Sequence, residues 1–147
     1  MKALILYDSL HGNTEKIAQA IGETIGCRWL RAGEWYPDEV KRFDFVMIGS
    51  PTHGGFYSKA MDGLIISLPV LEGIYVAAFD TRTKINIFGY AAPKIAKKLK
   101  EQGGNLLAPP EGFFVLGTQG PLKAGEIERA VDWAKTIAGQ FKEQPND

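Results

Sequence analysis

The stretch Ala3-Leu4-Ile5-Leu6-Tyr7-Asp8-Ser9-Leu10-His11-Gly12-Asn13-Thr14 sets the pattern of the chain. Its first five residues are an unbroken apolar run, too short for a buried helix and suited to a strand covered on both faces. A polar loop follows. The apolar spacing then changes: Ile17, Ala18, Ile21 and Ile25 share one helical face, and Gly26 offers a C-terminal stop. A strand, a tight loop and an amphipathic helix thus succeed one another.

The same alternation runs to the end. Residues 45–48, 74–79 and 113–116 are further apolar runs, while 27–32 alternates more and reads as a less buried edge strand. Between them, Ala60, Met61, Leu64, Ile65 and Leu68 mark one helix, and Ile95, Ala96 and Leu99 another. Ile127, Ala130, Val131, Ala134, Ile137, Ala138 and Phe141 mark the clearest of all. A short helix after Pro37 carries Val40 and Phe43. This order predicts an α/β fold of three layers, α/β/α, around a five-stranded parallel sheet with right-handed crossovers. Pro109-Pro110 precede the fifth strand and predict that it is split or irregular.

Composition narrows the function. A chain of 147 residues with 45% hydrophobic and 23% charged content reads as one globular domain, 1–147. Lys and Arg total 17 and Asp and Glu total 17, so no basic footprint for nucleic acid appears. No apolar run reaches the length of about 18 residues that a membrane span needs. Asp8 cuts the first run too early for a secretory signal, and Cys27 alone forms no internal disulfide. A cytoplasmic monomer is the expectation.

In an open α/β sheet, ligands bind beyond the carboxyl ends of the strands. Three loops qualify. The first, residues 8–14, runs straight into a helix whose first amides lack partners and whose dipole favours an anion. Ser9, Asn13 and Thr14 add neutral donors that suit a monophosphate. Asn13 or Thr14 acting as an ordinary helix cap is the alternative, and the loop alone does not choose. The second loop is Gly49-Ser50-Pro51-Thr52-His53-Gly54-Gly55-Phe56-Tyr57, and the third begins Asp80-Thr81-Arg82-Thr83. His11 and His53 have no third ligand at a suitable spacing, so no metal site is expected.

Several users of this architecture fail on residues. A phosphorelay receiver needs clustered acids after the first strand and an acceptor Asp ending the third, where Gly49-Ser50 stand. Neither G-x-x-x-x-G-K-[ST] nor G-x-G-x-x-G follows the first strand. Cys27 opens a strand and has no Arg five residues on, which excludes a cysteine phosphatase loop.

Taken together, the loops resemble those of the flavodoxin family. Ser9-Leu10-His11-Gly12-Asn13-Thr14 is similar to that family's phosphate loop, and Ser50-Pro51-Thr52-His53-Gly54 to its second, flavin-lining loop. Residues 80–82 stand where its third loop begins, and 120–134 resemble its last helix. The resemblance implies strand order 2-1-3-4-5 and a non-covalent FMN. Ser9, His11, Asn13 and Thr14, with the amides of Leu10 and Gly12, would hold the phosphate. Pro51, Thr52, His53, Gly54, Gly55 and Phe56, with Asp80, Thr81, Arg82 and Phe88, would enclose the ring. In the family, a peptide at the second-loop turn reorients toward the reduced ring, and Gly54-Gly55 occupy that turn.

Three positions depart from the family. His11 replaces a hydroxyl residue and His53 a large stacking side chain. Ile85 stands at the inner stacking position, with Phe88 or Tyr90 as substitutes. The expected function is an FMN electron carrier serving redox partner proteins, a reductase and an acceptor. The alternatives are an FMN-dependent NAD(P)H or quinone reductase, with Arg82 and Lys84 gripping a second ligand, or a module of a larger flavoprotein system.

Acidity around the ring lowers the potential of the couple that ends in the anionic, fully reduced flavin. Here the loops carry His11, His53, Lys59, Arg82 and Lys84 against Asp8 and Asp80. Positive charge stabilises a developing anion. Potentiometric titration of the FMN-loaded protein is therefore expected to give a less negative value for that couple than an acidic relative gives.

Overall fold

Alternate residues of each central strand point to opposite sides of the sheet, and both sides are apolar. The computed structural model, which describes residues 1–85 and 87–145, shows where each side goes. Strands β1 (Ala3–Tyr7), β2 (Arg28–Arg31), β3 (Phe45–Pro51) and β4 (Tyr75–Arg82) alternate with helices α1 (Asn13–Ile25), α2 (Lys59–Ser67) and α3 (Ala91–Glu101). A 3-10 turn spans Pro37–Arg42, and α4 (Glu126–Lys142) ends the fold. Two short strands, β5 (Asn105–Leu106) and β6 (Glu111–Phe114), precede it.

The sheet is parallel, with order β2-β1-β3-β4-β5. Ile5, Tyr7, Phe45, Met47, Ala77 and Phe79 face one helical layer, where Ile17, Ile21, Ala130, Ala134 and Ile137 of α1 and α4 pack on them. Leu4, Leu6, Val46, Ile48, Val76 and Ala78 face the other, against Met61, Leu64 and Ile65 of α2 and Ile95 and Leu99 of α3. Each such side chain buried adds about 1.5–3 kcal/mol of hydrophobic stabilisation. Gly22 and Gly49 are glycines for want of space: a Cβ at Gly22 would collide with the Trp29 ring, and one at Gly49 with the Phe79 ring.

The three-layer architecture and the strand order agree with the sequence reading, and the fifth position is split as the prolines predict. Tyr75 faces Asn105, an offset of 30 residues, whereas Phe79 faces Glu111, an offset of 32. The two extra residues are looped out around Pro109-Pro110, which cannot donate to a ladder. Boundaries differ at several places, among them β4, which runs past residue 79 to Arg82. Helix α3 begins at Ala91, a turn before Ile95. Strand β3 runs on to Pro51. Strand β6 ends at Phe114, leaving Val115 to bridge Leu122.

The second half of that position is tied to α4 by charge. Buried Glu126, in the first turn of α4, accepts the Phe114 amide at 2.7 Å and pairs with Arg129 at 2.6 Å. Arg129 also donates to Glu111 at 3.0 Å and to the Gly112 carbonyl, and its guanidinium lies 4.5 Å from the Phe113 ring centre. The Arg129 hydrogen bond, helped by the Phe114 amide, holds the Glu126 carboxyl below its usual range despite its burial. A carboxyl depressed on folding stabilises the protein above its unfolded pKa and loses that contribution as pH falls through the folded value. Glu126→Gln is expected to cost about 1–3 kcal/mol at pH 7 in urea unfolding, with the gap to the parent narrowing in acid. An equal gap at every pH would contradict the assignment.

Candidate functional site

Because every central strand runs the same way, the loops after β1, β3 and β4 meet at one edge of the sheet. They enclose a cleft of about 250 Å³ lined by Ser9, Leu10, His11, Asn13, Thr14, Pro51, Thr52, His53, Gly54, Thr81, Arg82, Thr83, Val115 and Thr118. No carboxylate is among them.

The loop after β1 is organised by Ser9. Its Oγ accepts the amides of Gly12 and Glu15 at 3.1 and 3.2 Å, and its carbonyl accepts Arg31 Nη1 at 2.8 Å. Arg31 also pairs with Glu15, to which the Tyr7 hydroxyl donates at 2.9 Å. Burial, with Glu15 alongside, pushes the Tyr7 phenol up to about 12. Gly12, at φ 88°, is the N-cap of α1 and has no side chain to cap with; the Ser9 hydroxyl reaches in from the loop to accept the Glu15 amide of the first turn. Asn13 and Thr14, the cap candidates of the sequence, instead occupy its first turn. Asn13 Nδ2 donates to the Gln119 carbonyl at 3.2 Å, and the Thr14 and Thr81 hydroxyls lie 2.8 Å apart. Among the described residues, nothing accepts the amides of Leu10, His11, Asn13 or Thr14.

Helix α3 contrasts with this. Its Ala91 amide donates to Thr52 Oγ1 at 3.0 Å and its Ala92 amide to Asp80 Oδ2 at 2.8 Å. Its N-terminus is satisfied from within; that of α1 faces the cleft.

The loop after β3 closes on itself. His53 and Phe56 exchange backbone hydrogen bonds at 2.8 and 2.9 Å across Gly54 and Gly55, whose φ values are 55° and 82°. Two positive φ values in a two-residue hairpin require such residues. Gly55 also abuts the Phe88 backbone, which a Cβ there would strike. Ser50 Oγ accepts the Ser58 amide at 3.1 Å and fixes where this loop rejoins α2.

Residues 80–82, expected to open the third loop, are instead the last of β4; there Asp80 is wholly buried and binds Arg82 through two bonds of 2.7 Å. The Arg82 guanidinium lies 3.6 Å from the Tyr90 ring centre. Arg82 thus lines the cleft while paired with Asp80, and Tyr90, one of the expected ring substitutes, carries Arg82 on its face. Asp80 serves the frame of the cleft rather than its lining. Phe88, Phe56, Leu10 and Ile85 are exposed around the mouth; Gly12, Gly55, Phe56 and Phe88 lie outside the lining itself. Asn86, inside the expected third loop, lies outside the described residues.

Residues 4–117 match the model of a family described as the flavodoxin domain. The chain belongs to the flavodoxin-domain family. An archaeal flavodoxin superposes with a TM-score of 0.81 at 25% identity, covering 97% of this chain and 100% of that one. Flavodoxin 2 from Bacillus cereus gives 0.83 at 22%, over 96% and 100%. Rubredoxin oxygen:oxidoreductase from Desulfovibrio gigas gives 0.78 at 24%, over 96% of this chain but 36% of that one. An uncharacterised protein of Methanocaldococcus jannaschii is 37% identical over 62 residues, and this chain spans 41% of that relative's length.

Relative to the flavodoxin reading of the sequence, the structure adds four residues. Val115 and Thr118 form a fourth wall, Gln119 anchors Asn13, and Arg31 holds the first loop. Each lies far along the chain from what it supports and carries no motif. The clearest structural test is Asp80→Ala, which strands Arg82 and the Ala92 amide. It is expected to cost about 3–5 kcal/mol, as the loss of one partner of a buried pair does, when unfolding is followed in denaturant. A loss under about 1 kcal/mol, the range of an exposed pair, would contradict that role.

Proposed function

We propose that this chain binds FMN non-covalently in the cleft and carries electrons singly between partner proteins. The observation that carries the reading is that the Leu10, His11, Asn13 and Thr14 amides, at the start of α1, have no acceptor among the described residues and stand beside a cleft that no carboxylate lines. Unpaired amides and the positive end of a helix dipole form a seat for a phosphate. The donors fit that group: the Leu10, His11, Asn13 and Thr14 amides converge there, and the Ser9 hydroxyl keeps its proton to give because its oxygen accepts two amides.

The mouth fits the rest of the cofactor. Phe56 and Phe88 expose aromatic faces to a flat apolar ring, and Pro51, Thr52, His53 and Gly54 bring backbone polar groups beside it. When bound, FMN would supply the electron-accepting chemistry. The protein binds, orients and sets the charge around it. Basic Lys84 in the third loop and Lys59 at the start of α2 favour partners with acidic contact surfaces, a cytoplasmic location suits the reading, and no helix among the described residues is long and apolar enough to cross a membrane.

A second reading is favoured by one finding: the chain matches about a third of the Desulfovibrio gigas oxidoreductase, 36% of its length. The same cleft would then serve as a flavin module of a larger redox system. For the reductase reading, Arg82 is already paired with Asp80, and exposed Lys84 is the other cation at hand for a second ligand.

Titrating the protein with FMN and with riboflavin tests the proposal. FMN is expected to bind with flavin absorption bands and at least tenfold more tightly than riboflavin, a difference of about 1.4 kcal/mol or more. Ser9→Ala is expected to weaken FMN while leaving riboflavin nearly unchanged. Colourless protein that takes up neither flavin would contradict the reading, and sustained NADPH oxidation by the loaded protein alone would favour a reductase.

A further inference from the structure

Lys94 stands in the first turn of α3, outside every motif in the sequence. A cation there opposes the helix dipole, so helix formation gives no reason for it. Its Nζ donates to the Phe88 carbonyl at 3.0 Å and to the Gly55 carbonyl, and it lies 4.4 Å from the Phe56 ring centre. Among the described residues no carboxylate pairs with it. The ammonium is therefore held by two carbonyls and a ring, contributed by two different loops of the cleft.

The surroundings keep those loops close. Gly55 meets the Phe88 backbone with no room for a Cβ, and a Cβ at Gly89 would lie 3.6 Å from Lys94 Nζ. The 53–56 hairpin has its own internal pair of hydrogen bonds, and Lys94 adds a polar link from the hairpin turn to the third loop. Charge-assisted bonds of this kind outweigh neutral ones.

We propose that Lys94 is a positioning residue for the flavin ring: it clamps Gly55 to Phe88, fixes the spacing of the two ring-side loops and holds a positive charge at their junction. This rests on the FMN reading above. The phosphate seat, built by Ser9 and the α1 amides, shares no hydrogen bond with Lys94, so clamp and seat separate experimentally.

The experiment compares the parent, Lys94→Met and Lys94→Arg for binding of riboflavin, FMN and inorganic phosphate, with hydrogen exchange of the 54–57 amides in apo protein. Lys94→Met is expected to weaken riboflavin and FMN by the same factor, about tenfold for a lost charged hydrogen bond. Phosphate binding is expected to stay unchanged, and exchange at 54–57 to quicken. Lys94→Arg is expected to recover most of the ring affinity. Unchanged riboflavin affinity in Lys94→Met overturns the proposal, as does a parallel fall in phosphate affinity, which marks general damage. A parent protein that binds no flavin overturns the reading of the cleft and this proposal together; a flavin-binding parent with an unaffected Lys94→Met overturns this proposal alone.

Discussion

Burial of both faces of a parallel sheet is the constraint on which the rest depends. Leu4 and Leu6 need one helical layer and Ile5 and Tyr7 the other, so each strand must hand over to a helix and return on the same side. All the strand-to-helix loops then collect at one edge. Strand β4 sits inside the sheet, between β3 and the split fifth position, and carries Asp80 to that edge. From there one carboxylate holds Arg82 and the start of α3, and through them the back of the cleft.

Charge around the sheet edge and the start of α4 is paired in place. The equal totals of acids and bases conceal local pairings: Asp80 with Arg82, Glu15 with Arg31, and Glu126 and Glu111 with Arg129. Each fastens a loop or a helix start to the sheet. The exposed pairs contribute little alone, whereas Asp80 is buried and its partner nearly so. The lining of the cleft itself carries no acid, which is what an anion needs.

Much of this was legible in the sequence because it is periodic or local. Short unbroken apolar runs mark the central strands, 3.6-residue spacing marks the helices, and Pro109-Pro110 mark the break in the fifth strand. Gly54-Gly55 announced a turn of positive φ. Tertiary pairings were not legible. Lys94 looks like one more lysine on a polar helical face, since nothing local shows that Gly55 and Phe88 fold back to meet it. The pairing of Arg82 with Asp80, two residues away, shows only once the strand places both side chains on the same side. Asn13 and Thr14 have the chemistry of caps, yet Gly12 takes the cap position and their side chains turn to Gln119 and Thr81.

The central claim is that the first turn of α1 and the hairpin after β3 form opposite ends of one flavin site. Backbone amide chemical shifts of isotope-labelled protein, followed as FMN is added, test it most directly. The account expects the largest changes at Leu10, His11, Asn13 and Thr14 and at Thr52 to Phe56, saturating together at one equivalent. Changes confined to another face of the molecule, or to only one of these two segments, would contradict it.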